Sequence, residues 1–312
     1  MLSTGKHNLY LNMDFYIKLI FALGLILNIG CKFEPDRVST DQEKNSINIS
    51  EQTSFKNEQS ELKISYIGNM GVLFEHKDKT VLIDGFHEKY KPAYVYPTKL
   101  MVDNLMTGRY HDFSKIEVGL ITHKHGDHFS PSLNAQFLHK NPNSIIVGSN
   151  QIKEEIKSQE NDEGHKVLLD RVLEIKYDHT IQKIEHEGIS IKAIRCDHSN
   201  QGRHKAIKNI AFLVDLNGYS ILHVGDTYWD LAEKPFQTLD LLNSDLDVAV
   251  LPYWMLTQKD SKNQLSRILN PKKIIATHVS PDDINQTKES IQLNFPQASV
   301  FTQLEERLSF AK

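Results

Sequence analysis

The sequence predicts an α/β protein of two sheets with helices outside. Three observations predict it. Short apolar runs bounded by turn residues recur from residue 62 to residue 276, as buried strands do. Some of these runs are joined by tight hairpins. Others are separated by amphipathic helical stretches, the connection that parallel neighbours require.

The elements follow in chain order. Leu62-Lys63-Ile64-Ser65-Tyr66-Ile67 opens the body as a strand. Val72-Leu73-Phe74-Glu75 and Thr80-Val81-Leu82-Ile83 form a hairpin across residues 76–79. Val118-Gly119-Leu120-Ile121 is a further strand, and Ile145-Ile146-Val147 a buried one, followed by an amphipathic helix over 151–159. An alternating strand leads to Cys196. Ile210 to Leu216, then Asn217-Gly218, then Tyr219-Ser220-Ile221-Leu222 is the clearest hairpin, because Asn-Gly supplies the positive φ angles of a tight turn. Val248-Ala249-Val250-Leu251 and Lys273-Ile274-Ile275-Ala276 are buried strands, with helices over 261–269 and 283–294. No internal repeat is visible.

Composition sets bounds on function. The 312 residues carry a net charge of −4, 24% charged and 39% hydrophobic residues, enough for a sizeable core. No Lys/Arg block stands in the body, so nucleic acid is not an expected partner. Two cysteines, Cys31 and Cys196, build no disulfide framework. Cys196 ends an alternating strand and reads as a buried structural thiol.

Residues 1–31 read as a signal peptide. Lys18 precedes a short apolar run, residues 19–27, which is too short for an ordinary membrane span. Asn28-Ile29-Gly30-Cys31 follows and resembles a bacterial lipoprotein signal, in which Cys31 is lipidated and becomes the mature N-terminus. Asn28 stands where an aliphatic residue is usual, and a cleaved signal with an incidental cysteine is the alternative. Met13 would give a signal of more usual length than Met1. Residues 32–60 are polar without apolar periodicity and read as a flexible linker to the 61–312 domain. The expected place is the cell envelope, lipid-anchored, or alternatively a secreted or periplasmic soluble form.

The chemistry concentrates in Thr122-His123-Lys124-His125-Gly126-Asp127-His128. With 15 His in 312 residues, a given position is His about one time in twenty, so three His and an Asp in this order are not accidental. In an extended segment His123 and His125 point to one side. After Gly126 turns the chain, Asp127 and His128 face a neighbouring point. Two ligand pairs so placed suit two metal ions better than one. The bland alternative is a His-rich surface loop.

The HxHxDH pattern resembles the signature of the metallo-β-lactamase fold superfamily. Four further positions of that family are matched in order: Asp84 in Ile83-Asp84-Gly85, His198 in Asp197-His198-Ser199, Asp226 in Gly225-Asp226-Thr227, and His278 in Thr277-His278-Val279. Each follows a strand-like run, so all can converge on one sheet edge. Taken singly, the His would be structural and the Asp turn formers. The resemblance covers about residues 62–304.

It implies a four-layer αβ/βα sandwich. It places His123, His125 and His198 on one metal, Asp127, His128 and His278 on a second, and Asp226 as a bridge between them. Asp84 would stand behind the ligands and orient a ligating His. Imidazole nitrogen and carboxylate oxygen suit two Zn ions, with Mn or Fe as alternatives. A bridging hydroxide would attack an ester, lactone or phosphodiester bond, with Asp127 and Asp226 as catalytic residues and Asp127 doubling as proton acceptor. β-Lactam-hydrolysing members lack the bridging aspartate, so antibiotic hydrolysis is not expected. The arrangement around Gly68-Asn69-Met70-Gly71 looks most like the lactonase and phospholipase-D-like branch, which implies a small or lipid-like substrate. A non-catalytic metal- or ligand-binding lipoprotein and a tRNase Z-like nuclease are the competing readings.

Three stretches are candidates for the pocket. Residues 86–110 carry His87, Tyr90, Tyr94, Tyr96 and Arg109, which form either a lid or a packed loop. Leu251-Pro252-Tyr253-Trp254-Met255 follows a strand near the same edge. Arg203, His204 and Lys205 either meet an anionic substrate or are solvated.

Overall fold

The structure is a computed structural model that describes residues 61–91, 94–108, 115–159, 168–198 and 202–312. These belong to one compact unit within Glu51–Lys312. The signal, Cys31, the linker and Arg109 lie outside the described residues.

The strands are β1 (Leu62–Gly68), β2 (Gly71–His76), β3 (Lys79–Ile83), β4 (Val118–Leu120), β5 (Ile145–Ser149), β6 (Val172–Ile175), β7 (Gln182–His186), β8 (Ile189–Arg195), β9 (Ile210–Leu216), β10 (Tyr219–His223), β11 (Val248–Pro252), β12 (Lys273–Thr277), β13 (Ser299–Val300) and β14 (Arg307–Phe310). The helices are α1 (Lys99–Thr107), α2 (Pro131–Lys140), α3 (Asn150–Lys157), α4 (Trp229–Thr238), α5 (Tyr253–Thr257), α6 (Ser261–Ile268) and α7 (Ile284–Asn294).

Two seven-stranded sheets form, in the orders β14-β1-β2-β3-β4-β5-β6 and β13-β12-β11-β10-β9-β8-β7. They share one pattern. In the first, β14 to β3 pair antiparallel and β3 to β6 parallel. In the second, β7 to β10 pair antiparallel and β10 to β13 parallel. The chain thus builds the same half twice without visible repetition of sequence.

Period-two alternation explains the layers. Val81, Ile83, Val118, Leu120 and Val147 of the first sheet pack with Phe212, Val214, Ile221, Val248 and Val250 of the second in a shared core. The intervening Leu82 and Ile146 face the other way, onto Met101 and Leu105 of α1 and Phe137 and Leu138 of α2. Ala249 and Leu251 likewise face Phe236 of α4 and Ile291 of α7. Both faces of the central strands are buried, so they read as continuous apolar runs. The order helix, sheet, sheet, helix is the expected four-layer sandwich.

Parallel strands in register finish at one edge. Ile83 stands beside Leu120, and Leu120 beside Val147. In the other sheet His223 stands beside Val250, and Pro252 beside Thr277. The residues that follow β3, β4, β10, β11 and β12 therefore meet at the carboxyl ends of the strands, where α/β sheets place their ligands.

Candidate metal centre

Seven donors converge at this edge in two groups. His123, His125, His198 and Asp226 form one; Asp127, His128 and His278 form the other, and within each group the ligand atoms lie within 4.8 Å of one another. His125 Nδ1 is 3.0 Å from His123 Nε2 and 3.3 Å from His198 Nε2. His278 Nε2 and His128 Nε2 lie 3.4 and 3.7 Å from Asp127 Oδ2. Asp226 sits between the groups. Its Oδ2 is 3.9 Å from His123 Nε2, 3.6 Å from His198 Nε2 and 3.4 Å from His278 Nε2, and its Oδ1 is 3.4 Å from His128 Nε2.

A frame of hydrogen bonds holds these donors. The Asp84 carboxylate accepts from Thr122 N at 2.8 Å and Thr122 Oγ1 at 2.6 Å, and lies 2.9 Å from His128 Nδ1. That bond fixes the His128 ring with Nε2 turned to the centre. Asn69 Nδ2 donates to Asp127 Oδ2 at 3.0 Å and to the Asp127 carbonyl at 3.1 Å, while its own carbonyl accepts from His278 N at 3.1 Å. Asn209 Nδ2 donates to the carbonyls of Cys196 and Val224, and its Oδ1 accepts from Asp226 N at 3.3 Å. One asparagine thereby joins the loops that carry His198 and Asp226.

Backbone strain marks the same loops. Asp84 (φ 50°) and His278 (φ 63°) occupy the left-handed region, which non-glycine residues enter at a cost. Gly225 has φ 60°; a Cβ there would meet Asn209 Oδ1 and stand 2.7 Å from Thr122 Cβ. Only glycine allows Asp226 this close approach.

The electrostatics suit cations. Burial opposes the ionised form of Asp226, but His278 and His128 outweigh it and hold the carboxyl well below the usual range. Burial is likewise outweighed at Asp127, where His128 and His278 bring it down to about 2. Burial holds His123 well below 6.5 and lowers His125 to about 4, which favours the neutral imidazole that a metal needs. Against burial, the two aspartates raise His278 to about 9 and His128 well above its ordinary value. A cation among these donors takes over the neutralising role of those protons. Asp226 Oδ1 and His278 Nε2 are buried and make no well-formed hydrogen bond, having only ion-pair neighbours at 3.4 Å. Each of the two donor groups could hold a metal ion, and together they contain the residues that the motif spacing pointed to.

Other sequence candidates are sorted by position. Tyr94 meets His278 edge-on at 5.1 Å, and Trp254 does so at 4.8 Å. Tyr96 lines a cavity of about 370 Å³ with His87, Lys89 and Lys99, whose lining includes none of the seven donors. His87 is buried, and burial lowers it to about 4. His204 stacks on His198 at 5.0 Å, whereas Arg203 and Lys205 are exposed. Cys196 is a buried thiol, pushed up to about 12 by burial, with Sγ 3.4 Å from Thr227 Oγ1. Asn69, Asn209 and His223 were not singled out as site residues by their sequence positions. His223 supports the β10 end through Met70 O at 3.0 Å and Gly225 N at 3.3 Å.

The β-lactamase superfamily domain matches residues 63–278. The chain belongs to the metallo-β-lactamase superfamily. Among curated relatives, a UPF0173 metal-dependent hydrolase of Pyrococcus abyssi is 27% identical over 194 residues, covering 58% of this chain and 76% of that protein. The superfamily fold recurs in Igni18, a metallo hydrolase from Ignicoccus hospitalis, with TM-score 0.52 and 15% identity, covering 81% of this chain and 99% of the other. It recurs also in the metallo-β-lactamase fold protein YhfI from Bacillus subtilis, with TM-score 0.51 and 12% identity, covering 80% and 100%.

Proposed function

We propose that this metal-dependent hydrolase holds two divalent ions, most simply Zn, and cleaves an ester, lactone or phosphodiester bond. The observation that carries the reading is the position of Asp226, whose carboxylate lies within 3.4–3.9 Å of imidazoles from both donor groups. When bound, the ions supply a water whose pKa falls from about 15.7 towards 7 and polarise the oxygen of the bond attacked. The residues do the rest. His123, His125 and His198 would hold one ion, Asp127, His128 and His278 the other, and Asp226 stands between the two groups. Asp127, whose Oδ2 accepts from Asn69 Nδ2, would both ligate an ion and accept a proton in this reading. Asp84 keeps His128 turned inward. The bridging Asp226 speaks against β-lactams as substrates, and we place the protein in the lactonase and phospholipase-D-like branch.

We also propose that Cys31 is lipidated and tethers the domain to the bacterial envelope, where small or lipid-like substrates are met. Among the described residues no helix is long and apolar enough to cross a membrane.

The test measures metal content and turnover in one sample. The full chain should carry about two equivalents of metal, lose ester, lactone or phosphodiester hydrolysis on chelation, and regain it with Zn, Mn or Fe. Full activity without metal removes the reading. A two-metal sample inactive on all three panels favours a ligand-binding lipoprotein instead, and metal-dependent RNA cleavage would favour a nuclease.

A further inference from the structure

We infer that the centre takes a substrate with an apolar group next to its scissile bond, and that this group lies on an aromatic wall at the His278 side. The inference rests on the hydrolase reading above and specifies the substrate and its orientation.

The wall is built from three separate segments. Tyr94, after β3, and Trp254, after β11, both stand edge-on to His278, at 5.1 and 4.8 Å. Tyr228, two residues after Asp226, and Tyr253 flank Trp254 at 5.9 and 5.4 Å. Tyr90 extends the wall outward, 6.2 Å from Tyr94. Trp254 is fixed relative to the metal donors, because its Nε1–H donates to the Thr227 carbonyl at 2.7 Å. The outer rings remain in water, Tyr90 by 46% and Tyr228 by 37%. Aromatic surface left uncovered beside buried metal donors gains when an apolar group covers it, and rigid rings lose little entropy in doing so.

The opposite side of the centre differs in kind. His204 stacks on His198 at 5.0 Å and meets His125 edge-on at 5.1 Å. Arg203 Nε donates to His204 Nε2 at 3.3 Å, and His204 Nδ1 is buried without a partner. The exposed Arg203 and Lys205 stand beside it in the chain. This side presents imidazoles, with His204 against His198 and His125; the His278 side presents the rings of Tyr94 and Trp254. A substrate that satisfies both lies with its polar end towards His204 and its apolar end towards Trp254.

The test uses metal-loaded full chain and calorimetric titration with phenylphosphonate, hexylphosphonate and methylphosphonate. The phenyl or hexyl compound should bind about tenfold tighter than the methyl one, which corresponds to about 1.4 kcal/mol. A phenyl preference identifies an aryl group and a hexyl preference an alkyl or acyl chain. Trp254→Ala should erase the preference, and His204→Ala should weaken all three ligands alike. Because Trp254 touches His278, Tyr228→Ala serves as the second variant: it should reduce the preference with metal content unchanged. Equal affinity for the three compounds, no binding by any, or a preference that survives both aromatic substitutions overturns the inference. Binding needs no turnover. A protein that prefers phenylphosphonate yet hydrolyses nothing sinks the hydrolase reading alone, and the reverse result sinks the wall alone.

Discussion

Asp226 and Asp84 show how two buried aspartates at the same sheet edge differ. Asp226 faces imidazoles of both donor groups, whereas Asp84 is engaged by Thr122 and His128 behind them. Their substitutions should differ accordingly. Asp226→Ala is expected to drop the metal content below two equivalents and remove activity. Asp84→Asn keeps the shape but loses the charge that orients His128, and should weaken metal affinity about 10- to 100-fold while the sites can still be filled at high metal. Metal titration of both variants checks this, and an Asp84→Asn protein with wild-type affinity contradicts it. The seven candidate donors were legible in the sequence because their spacing around strand ends is unusual. Asn69 and Asn209 carry the frame with equal geometric importance, but a lone asparagine in a loop has no spacing to read. His204 was legible only as a member of a basic cluster, since its stacking on His198 depends on where the chain returns.

At the level of elements, legibility followed burial. The hairpin of β9 and β10 was readable because Asn217 and Gly218 take φ 52° and 89° between two apolar strands. The parallel strands β11 and β12 were readable because both faces are covered. The edge strands β7 and β14 were not: no residue of either is fully buried, β7 has Ile184 as its one aliphatic residue, and the alternation of Leu308 and Phe310 in β14 spans four residues only. The loop after β10 is the element on which the site depends most. Gly225→Ala forces a Cβ against Asn209 and Thr122 at a positive φ. It should cost about 2–3 kcal/mol and misplace Asp226. Denaturant unfolding measures the first effect and metal stoichiometry the second; a Gly225→Ala protein with wild-type values for both is incompatible with this packing.

The whole molecule should register its charges through pH. In chelated protein His278 titrates at about 9 when folded against 6.5 when unfolded, so its contribution is complete below 6.5 and is lost as pH rises through 9. His128 acts in the same direction. His87 and His125, lowered by burial to about 4, stabilise as neutral rings above 6.5, and that contribution is lost as pH falls towards 4. The thermal midpoint of chelated protein should therefore peak near pH 6.5, and metal loading should abolish the alkaline decline. A midpoint that rises steadily from pH 4 to pH 9 in chelated protein would contradict these assignments. The source of the seven donors has a kinetic consequence. His123, His125, Asp127 and His128 follow a strand of one sheet; His198, Asp226 and His278 follow strands of the other. Neither half owns a complete ion site. On the proposed two-metal reading, tight capture of the ions during refolding would require both halves to have docked, and metal uptake would act as a proofreading step that reports correct assembly.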